Sequence, residues 1–125
     1  MSGKKILIVD DSDAVRSSLV KIIKQKKEDL QIYQACDGSI GLSTFEKEKP
    51  FDLIFSDYNM PNMNGISMCK NLKEKFAQEV PPIVMLTTEM NKDLMDEGKK
   101  NGVVIWVVKP INAKALEQII DRFLK

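Results

Sequence analysis

Four segments of this chain end in side chains able to do chemistry, and each follows an apolar run. Asp10 and Asp11 follow Ile6–Val9, Asp57 follows Leu53–Ser56, Thr87 and Thr88 follow Ile83–Leu86, and Lys109 follows Val103–Val108. Two carboxylates about 4 Å apart repel by roughly 4 kcal/mol at an effective dielectric near 20, so three acids gathered in one place need a cation. Lys109 supplies one positive charge. An all-oxygen donor set with negative charge left over suits a hard divalent ion, magnesium with several waters retained. A metal alone leaves Thr87 and Lys109 without a task. With a phosphoryl group at the same place, a carboxylate can attack phosphorus, the cations spread the charge on the oxygens, and the threonine hydroxyl donates to one of them.

For these groups to meet, the runs that precede them must lie side by side. Five short apolar runs, the four above and Gln31–Ala35, have the length and β-branched content of strands. Amphipathic stretches separate them. Val15, Leu19, Ile22 and Ile23 form a helical stripe, as do Ile66, Cys69, Leu72 and Phe76, and later Leu116, Ile119, Ile120 and Phe123. Pro81 and Pro82 are stop signals after the second of these. Asp37 and Asn112 are expected N-caps. Asn91 to Lys100 has only Leu94 and Met95 as strong apolar residues among six charged ones, and reads as a thinly anchored helix. Alternating strands and helices with near-continuously apolar strands predict an α/β fold: a doubly wound, five-stranded parallel sheet with helices on both faces. Sites in such folds form beyond the carboxyl ends of the strands, which is where the acids, the hydroxyls and the amine lie. Strand two ends in Cys36 and Asp37.

At 125 residues the chain fits one domain, residues 1–125. A formal charge of +1, from 19 basic and 18 acidic residues, argues against general nucleic-acid binding. The longest apolar runs fall far short of the roughly 18 residues of a membrane span, and the first ends in two acids rather than a signal cleavage site. No membrane insertion and a cytoplasmic location are expected. Cys36 and Cys69 lack metal-ligand spacing and read as reduced, partly buried thiols. The chain has no histidine, which removes imidazole-based triads and proton shuttles. The methionines, Met60, Met63 and Met85 among them, read as packing and loop anchors, and the lysine runs at 24–27 and 99–100 as solvated helix faces.

The segments "VDDS", "DYNMPNMNG", "LTTE" and "VVKP" stand in order at the ends of strands one, three, four and five. Together they make the chain resemble the receiver domains of response regulators, and among these the single-domain, CheY-like chemotaxis regulators with their flavodoxin-like fold. The resemblance covers essentially all 125 residues. It implies strand order 2-1-3-4-5, Asp57 as phosphoacceptor, Asp11 as a direct magnesium ligand, and Asp10 acting mostly through water. The Asn59 main-chain carbonyl completes the protein's share of that shell. Thr87 and Lys109 are implied to bind phosphoryl oxygens, and the Lys109–Pro110 bond to be cis. The strand-five aromatic, here Trp106, is implied to turn inward as Thr87 moves, changing the surface formed by residues 91–100, 103–106 and the last helix.

The chain departs from the family pattern at three places. Trp106 stands where Tyr or Phe is usual, so the larger indole is expected to hinder an inward rotamer. Thr88 stands where a small residue is commoner and narrows access to the phosphoryl group. Val104 and Ile105 make the output face more apolar. The resemblance implies a stand-alone, monomeric regulator that takes its phosphoryl group from a histidine kinase and catalyses only its own phosphorylation and dephosphorylation. Ending at Lys125, it is expected to signal by protein contact. Asn59 and Glu89 beside the site match the chemotaxis subgroup, whose partners are the flagellar motor switch protein or a phosphatase. A phosphorelay intermediate or phosphate sink is the alternative. A haloacid dehalogenase-type phosphatase also uses a strand-end aspartate, but it wants a DxD pattern after the first strand, and "DDSD" offers only Asp11 and Asp13.

Overall fold

Strands and helices alternate along the chain where the apolar runs and stripes place them. The structure, a computed structural model, describes residues 4–124; the outermost residues of the expected domain, 1–3 and Lys125, lie outside it. The elements are β1 (Lys5–Val9), α1 (Asp13–Lys26), β2 (Gln31–Ala35), α2 (Gly38–Glu48), β3 (Leu53–Ser56) and α3 (Gly65–Phe76). They continue, after a 3-10 turn at Ala77–Glu79, as β4 (Ile83–Thr87), α4 (Lys92–Lys100), β5 (Val103–Val108) and α5 (Ala113–Phe123). All strand pairs are parallel, in the order β2-β1-β3-β4-β5. That is the doubly wound topology the resemblance implies. The Lys109–Pro110 peptide is cis as expected, and Lys49–Pro50 is cis as well.

Every α-helix starts on a short polar side chain that satisfies a free first-turn amide. Ser12 accepts from Val15, Asp37 from Ile40, Asn64 from Ser67, Asn91 from Asp93 and Leu94, and Asn112 from Ala115. α3 ends at Phe76, ahead of the two prolines, where Ala77 takes a φ of 46° and turns the chain.

Period-two alternation sends successive strand residues to opposite faces and builds two cores. Ile6, Ile8, Leu53, Phe55, Val84 and Leu86 pack against Leu19 and Ile23 of α1 and Leu116, Ile119 and Ile120 of α5. Leu7, Val9, Ile54, Ile83 and Met85 pack on the other face against Phe45 of α2 and Ile66, Met68, Cys69 and Leu72 of α3. Phe45 stacks on Phe51 with centroids 5.6 Å apart and tilts against Phe76 at 5.1 Å. Each fully buried side chain of this size contributes roughly 1.5–3 kcal/mol, so these central strands carry much of the fold's hydrophobic stabilisation. α4 differs: its one buried residue is Gly98, and Leu94 and Met95 are only half-buried. Among the described residues, no helix is long and apolar enough to cross a membrane.

Candidate functional site

Ladder hydrogen bonds run one residue past the strands and fix the backbone of the residues that follow. The Asp10 amide donates to Ala35 O at 3.0 Å, Asp57 to Val9 O at 2.9 Å, and Lys109 to Thr87 O at 2.9 Å. The first residue beyond each of β1, β3 and β5 is thus still hydrogen-bonded to the sheet, which fixes the point from which its side chain projects.

At this edge Asp10 is 3% exposed, Asp57 7% and Thr87 0%. Lys109 Nζ bridges the two acids, at 2.7 Å from Asp10 Oδ2 and 3.1 Å from Asp57 Oδ2. The remaining carboxylate oxygens are held by backbone amides: Ser12 N donates to Asp10 Oδ1 at 2.9 Å and Tyr58 N to Asp57 Oδ1 at 2.7 Å. Asp11 is exposed. Burial works to depress the Lys109 ammonium, but its hydrogen bonds to Asp10 and Asp57 and their charges outweigh it and hold the group above the ordinary lysine value of 10.5. Its stabilisation is therefore complete at neutral pH and is lost only as pH rises through that elevated value.

Asp10, Asp11 and Asp57 each bring a carboxylate oxygen within 4.8 Å of the others. With Lys109 neutralising one charge, two negative charges stay uncompensated, and the donors are all oxygen. This set fits a hard divalent cation such as magnesium.

The two threonines differ sharply. Thr87 is buried and its hydroxyl faces the Glu89 amide at 3.4 Å, whereas Thr88 is exposed. Glu89 joins the neighbouring parts: its carboxylate accepts from Asn59 Nδ2 at 2.7 Å, and its main-chain oxygen accepts from Trp106 Nε1 at 2.9 Å. Ile105 and Val107 pack with the α1–α5 core while Trp106 packs with the α2–α3 core, so strand alternation puts Trp106 on the face opposite Lys109. The large indole rests over Gly98 of α4, where an added Cβ would come within 3.1 Å of Cζ3.

Several residues here were not legible in the sequence. Ser12 caps α1 and steers Asp10 at once. Its signal was a small polar residue just before an apolar stripe. Arg16 Nη1 donates to Asp10 O at 2.5 Å and Nε to Gln34 Oε1 at 3.1 Å, a contact across sequence that no spacing announces. Gly65 lies so close to the Asp57 carbonyl that a Cβ there would overlap it. The thiols also differ from expectation. Cys36 at the end of β2 is exposed, and Cys69 is buried in the α3 core with its pKa pushed up to about 12 by that burial.

Comparison with known proteins agrees with this architecture. The response regulator receiver domain family matches residues 6–121. The chain is 32% identical to the chemotaxis protein CheY-3 of Vibrio cholerae over 97% of its own length and 92% of the relative's. It is 31% identical to the sporulation initiation phosphotransferase F of Bacillus subtilis, over 99% and 96%. Among solved structures, Vibrio cholerae CheY4 superposes with a TM-score of 0.86 at 34% identity, covering 98% of this chain and all of that one. Fold, site geometry and sequence likeness agree, and the chain belongs to the response regulator receiver domain family.

Proposed function

We propose that this receiver domain, residues 1–125, is a cytoplasmic switch that takes a phosphoryl group onto Asp57. Receiver domains take phosphoryl groups from histidine kinases. An Asp57 carboxylate oxygen attacks phosphorus, the P–N bond to the kinase imidazole breaks, and an acyl phosphate forms; water later attacks that phosphorus and returns inorganic phosphate and the carboxylate. The observation that supports this best is the buried Asp57 carboxylate, aimed by the Tyr58 amide and sharing one ammonium with Asp10. On this reading Lys109 follows charge from the carboxylate onto the phosphoryl oxygens, and Thr87 donates a hydrogen bond to one of them. Thr88, exposed one residue after Thr87, is the residue proposed to limit the approach of water and donor. Magnesium, when bound, neutralises charge on the phosphoryl oxygens. Asp10, Asp11, Asp57 and the Asn59 carbonyl are the residues to hold it. Incubation with magnesium and acetyl phosphate should add one phosphoryl mass, mapped to the peptide containing Asp57. An adduct mapped elsewhere would sink the assignment. p-Nitrophenyl phosphate should not be turned over, which separates this reading from a haloacid dehalogenase-type phosphatase.

Asp11→Ala should weaken magnesium binding by at least about tenfold, because removing a direct ligand costs no less than disturbing the partners that orient one. Calorimetric titration with magnesium checks this. An unchanged affinity means that the metal lies elsewhere.

Output is proposed to run through Thr87, Glu89 and Trp106. Glu89 touches the Thr87 hydroxyl through its amide and the Trp106 indole through its carbonyl, so movement of Thr87 toward a phosphoryl oxygen alters the indole's surroundings. α4, thinly anchored beneath the indole, can shift at low cost. Trp106 emission should therefore change on adding beryllofluoride with magnesium, more than with magnesium alone, and Thr87→Ala should reduce the change. A flat signal from protein that binds beryllofluoride would mean that the switch bypasses Trp106.

Likeness to the chemotaxis proteins supports the flagellar motor switch, or a phosphatase, as partner of a monomeric regulator. The similar likeness to a sporulation phosphotransferase supports a phosphorelay intermediate as the second reading. Capture of a motor-switch protein only by the beryllofluoride form favours the first; onward phosphotransfer to a histidine protein favours the second.

A further inference from the structure

The segment from Asp57 to Asn64 links β3 to α3 and carries both the acceptor carboxylate and Asn59. Its inner end is held by the sheet and by the Gly65 amide on Tyr58 O at 2.9 Å. Its outer limb makes a tight turn, Met63 N to Pro61 O at 2.7 Å, around Asn62 at a φ of 69°. Asparagine enters that left-handed region more readily than most residues, but still at a cost that the surroundings must offset. The surroundings here are the start of α2. Asn62 Nδ2 donates to Asp37 Oδ2 at 2.9 Å, while Asp37 Oδ1 accepts from the Ile40 amide at 2.8 Å. Asp37 is only 5% exposed, and the Ile40 and Asn62 hydrogen bonds hold its carboxyl below the usual carboxylate value, so it stays ionised. Its helix-capping bond locks the rotamer, which aims the second oxygen at the loop. Next to it, Gly38 approaches Met63 so closely that a Cβ would lie 2.5 Å from Met63 O.

We propose that Asp37 and Asn62 are positioning residues for the phosphoryl site: their hydrogen bond ties the outer limb of the 57–64 loop to the N-terminus of α2 and holds Asn59 in place for the metal. The inference rests on the reading of Asp57, Asp11 and Asn59 given above. Neither residue touches the acid cluster, so the effect runs through the loop backbone. A cap that serves only α2 has no need of the second oxygen, and a turn that needs only a left-handed residue has no need of an amide.

Asn62→Gly separates these roles, since glycine takes the same φ freely and leaves the helix cap untouched. Calorimetry should show magnesium binding weakened by about tenfold, the lower end of what loss of a supporting partner costs. Amides of residues 59–63 should exchange faster in the metal-free variant, with the melting temperature little changed. The exchanged pair Asp37→Asn with Asn62→Asp keeps a capping oxygen and reverses the direction of the link, so it should restore most of the lost affinity. Magnesium affinity of Asn62→Gly equal to wild type overturns the proposal, and so does a loss that the exchanged pair fails to restore. Beryllofluoride binding, followed by fluorine NMR, is the control for the reading beneath it: wild-type protein that forms no adduct overturns the assignment of Asp57, whereas normal wild-type binding with an unaltered Asn62→Gly variant overturns the link alone.

Discussion

Asp57→Asn protein incubated with magnesium and acetyl phosphate should gain no phosphoryl mass, where the wild type gains one. An amide has no anionic oxygen to attack phosphorus, and on the reading proposed above Asp10 and Asp11 serve the metal rather than phosphorus. The fold should survive. The side-chain carbonyl of the substituted amide can still accept from the Tyr58 amide, and Lys109 keeps Asp10, although the new NH2 group would face the ammonium that lies 3.1 Å from Asp57 Oδ2 in the wild type. Losing that contact and relieving repulsion among the acids work in opposite directions, so the net change in stability should stay within about 1 kcal/mol, the scale of a single hydrogen bond. Intact-mass spectrometry beside a urea melt reads both quantities. An adduct of equal yield on the variant would remove Asp57 from the role of acceptor.

Lys109→Met should be the most damaging change at the site in the absence of metal. The methionine replaces much of the apolar stem but leaves the carboxylates of Asp10 and Asp57, 4% and 9% exposed, facing each other without a cation. Removing one partner of a buried ion pair typically costs about 3–5 kcal/mol, because the remaining charge has neither water nor partner. A loss near the lower end of that range is expected here, since the edge of the site is open to water at Asp11. Magnesium should return part of that loss, and more of it than the same magnesium adds to wild type, since it would be the only cation beside the acids. Phosphorylation should fall too, because no ammonium remains to follow the charge. Urea denaturation with and without magnesium provides the check. A variant as stable as wild type in the metal-free state would show that the two hydrogen bonds to Lys109 contribute nothing net.

Much of this protein was legible from residue type and spacing alone. A continuous apolar run such as Ile83–Leu86 is stable only when buried on both faces, so such runs alternating with helical stripes point to a parallel sheet between helices, in which β1, β3 and β4 are buried while the edge strands β2 and β5 are only partly covered. Asp10, Asp11, Asp57, Thr87 and Lys109 could be brought to one edge on paper because parallel strands all point the same way. Caps such as Asp37 and Asn112 were equally readable, because the bond they make is to a residue three positions ahead.

What spacing could not supply was any contact whose partners are distant in sequence and whose geometry depends on packing. Lys109 lies 99 residues from Asp10 and 52 from Asp57. That it bridges both carboxylates follows from the position of β1 and β3 in the sheet. The indole of Trp106 fits because Gly98, a helix residue with no sequence signal of its own, leaves room beneath it. The second oxygen of Asp37 was silent for the same reason. A local cap can be inferred from the chain itself, but the loop bond to Asn62 exists only once α2 and the β3–α3 connection have packed against the same face of the sheet.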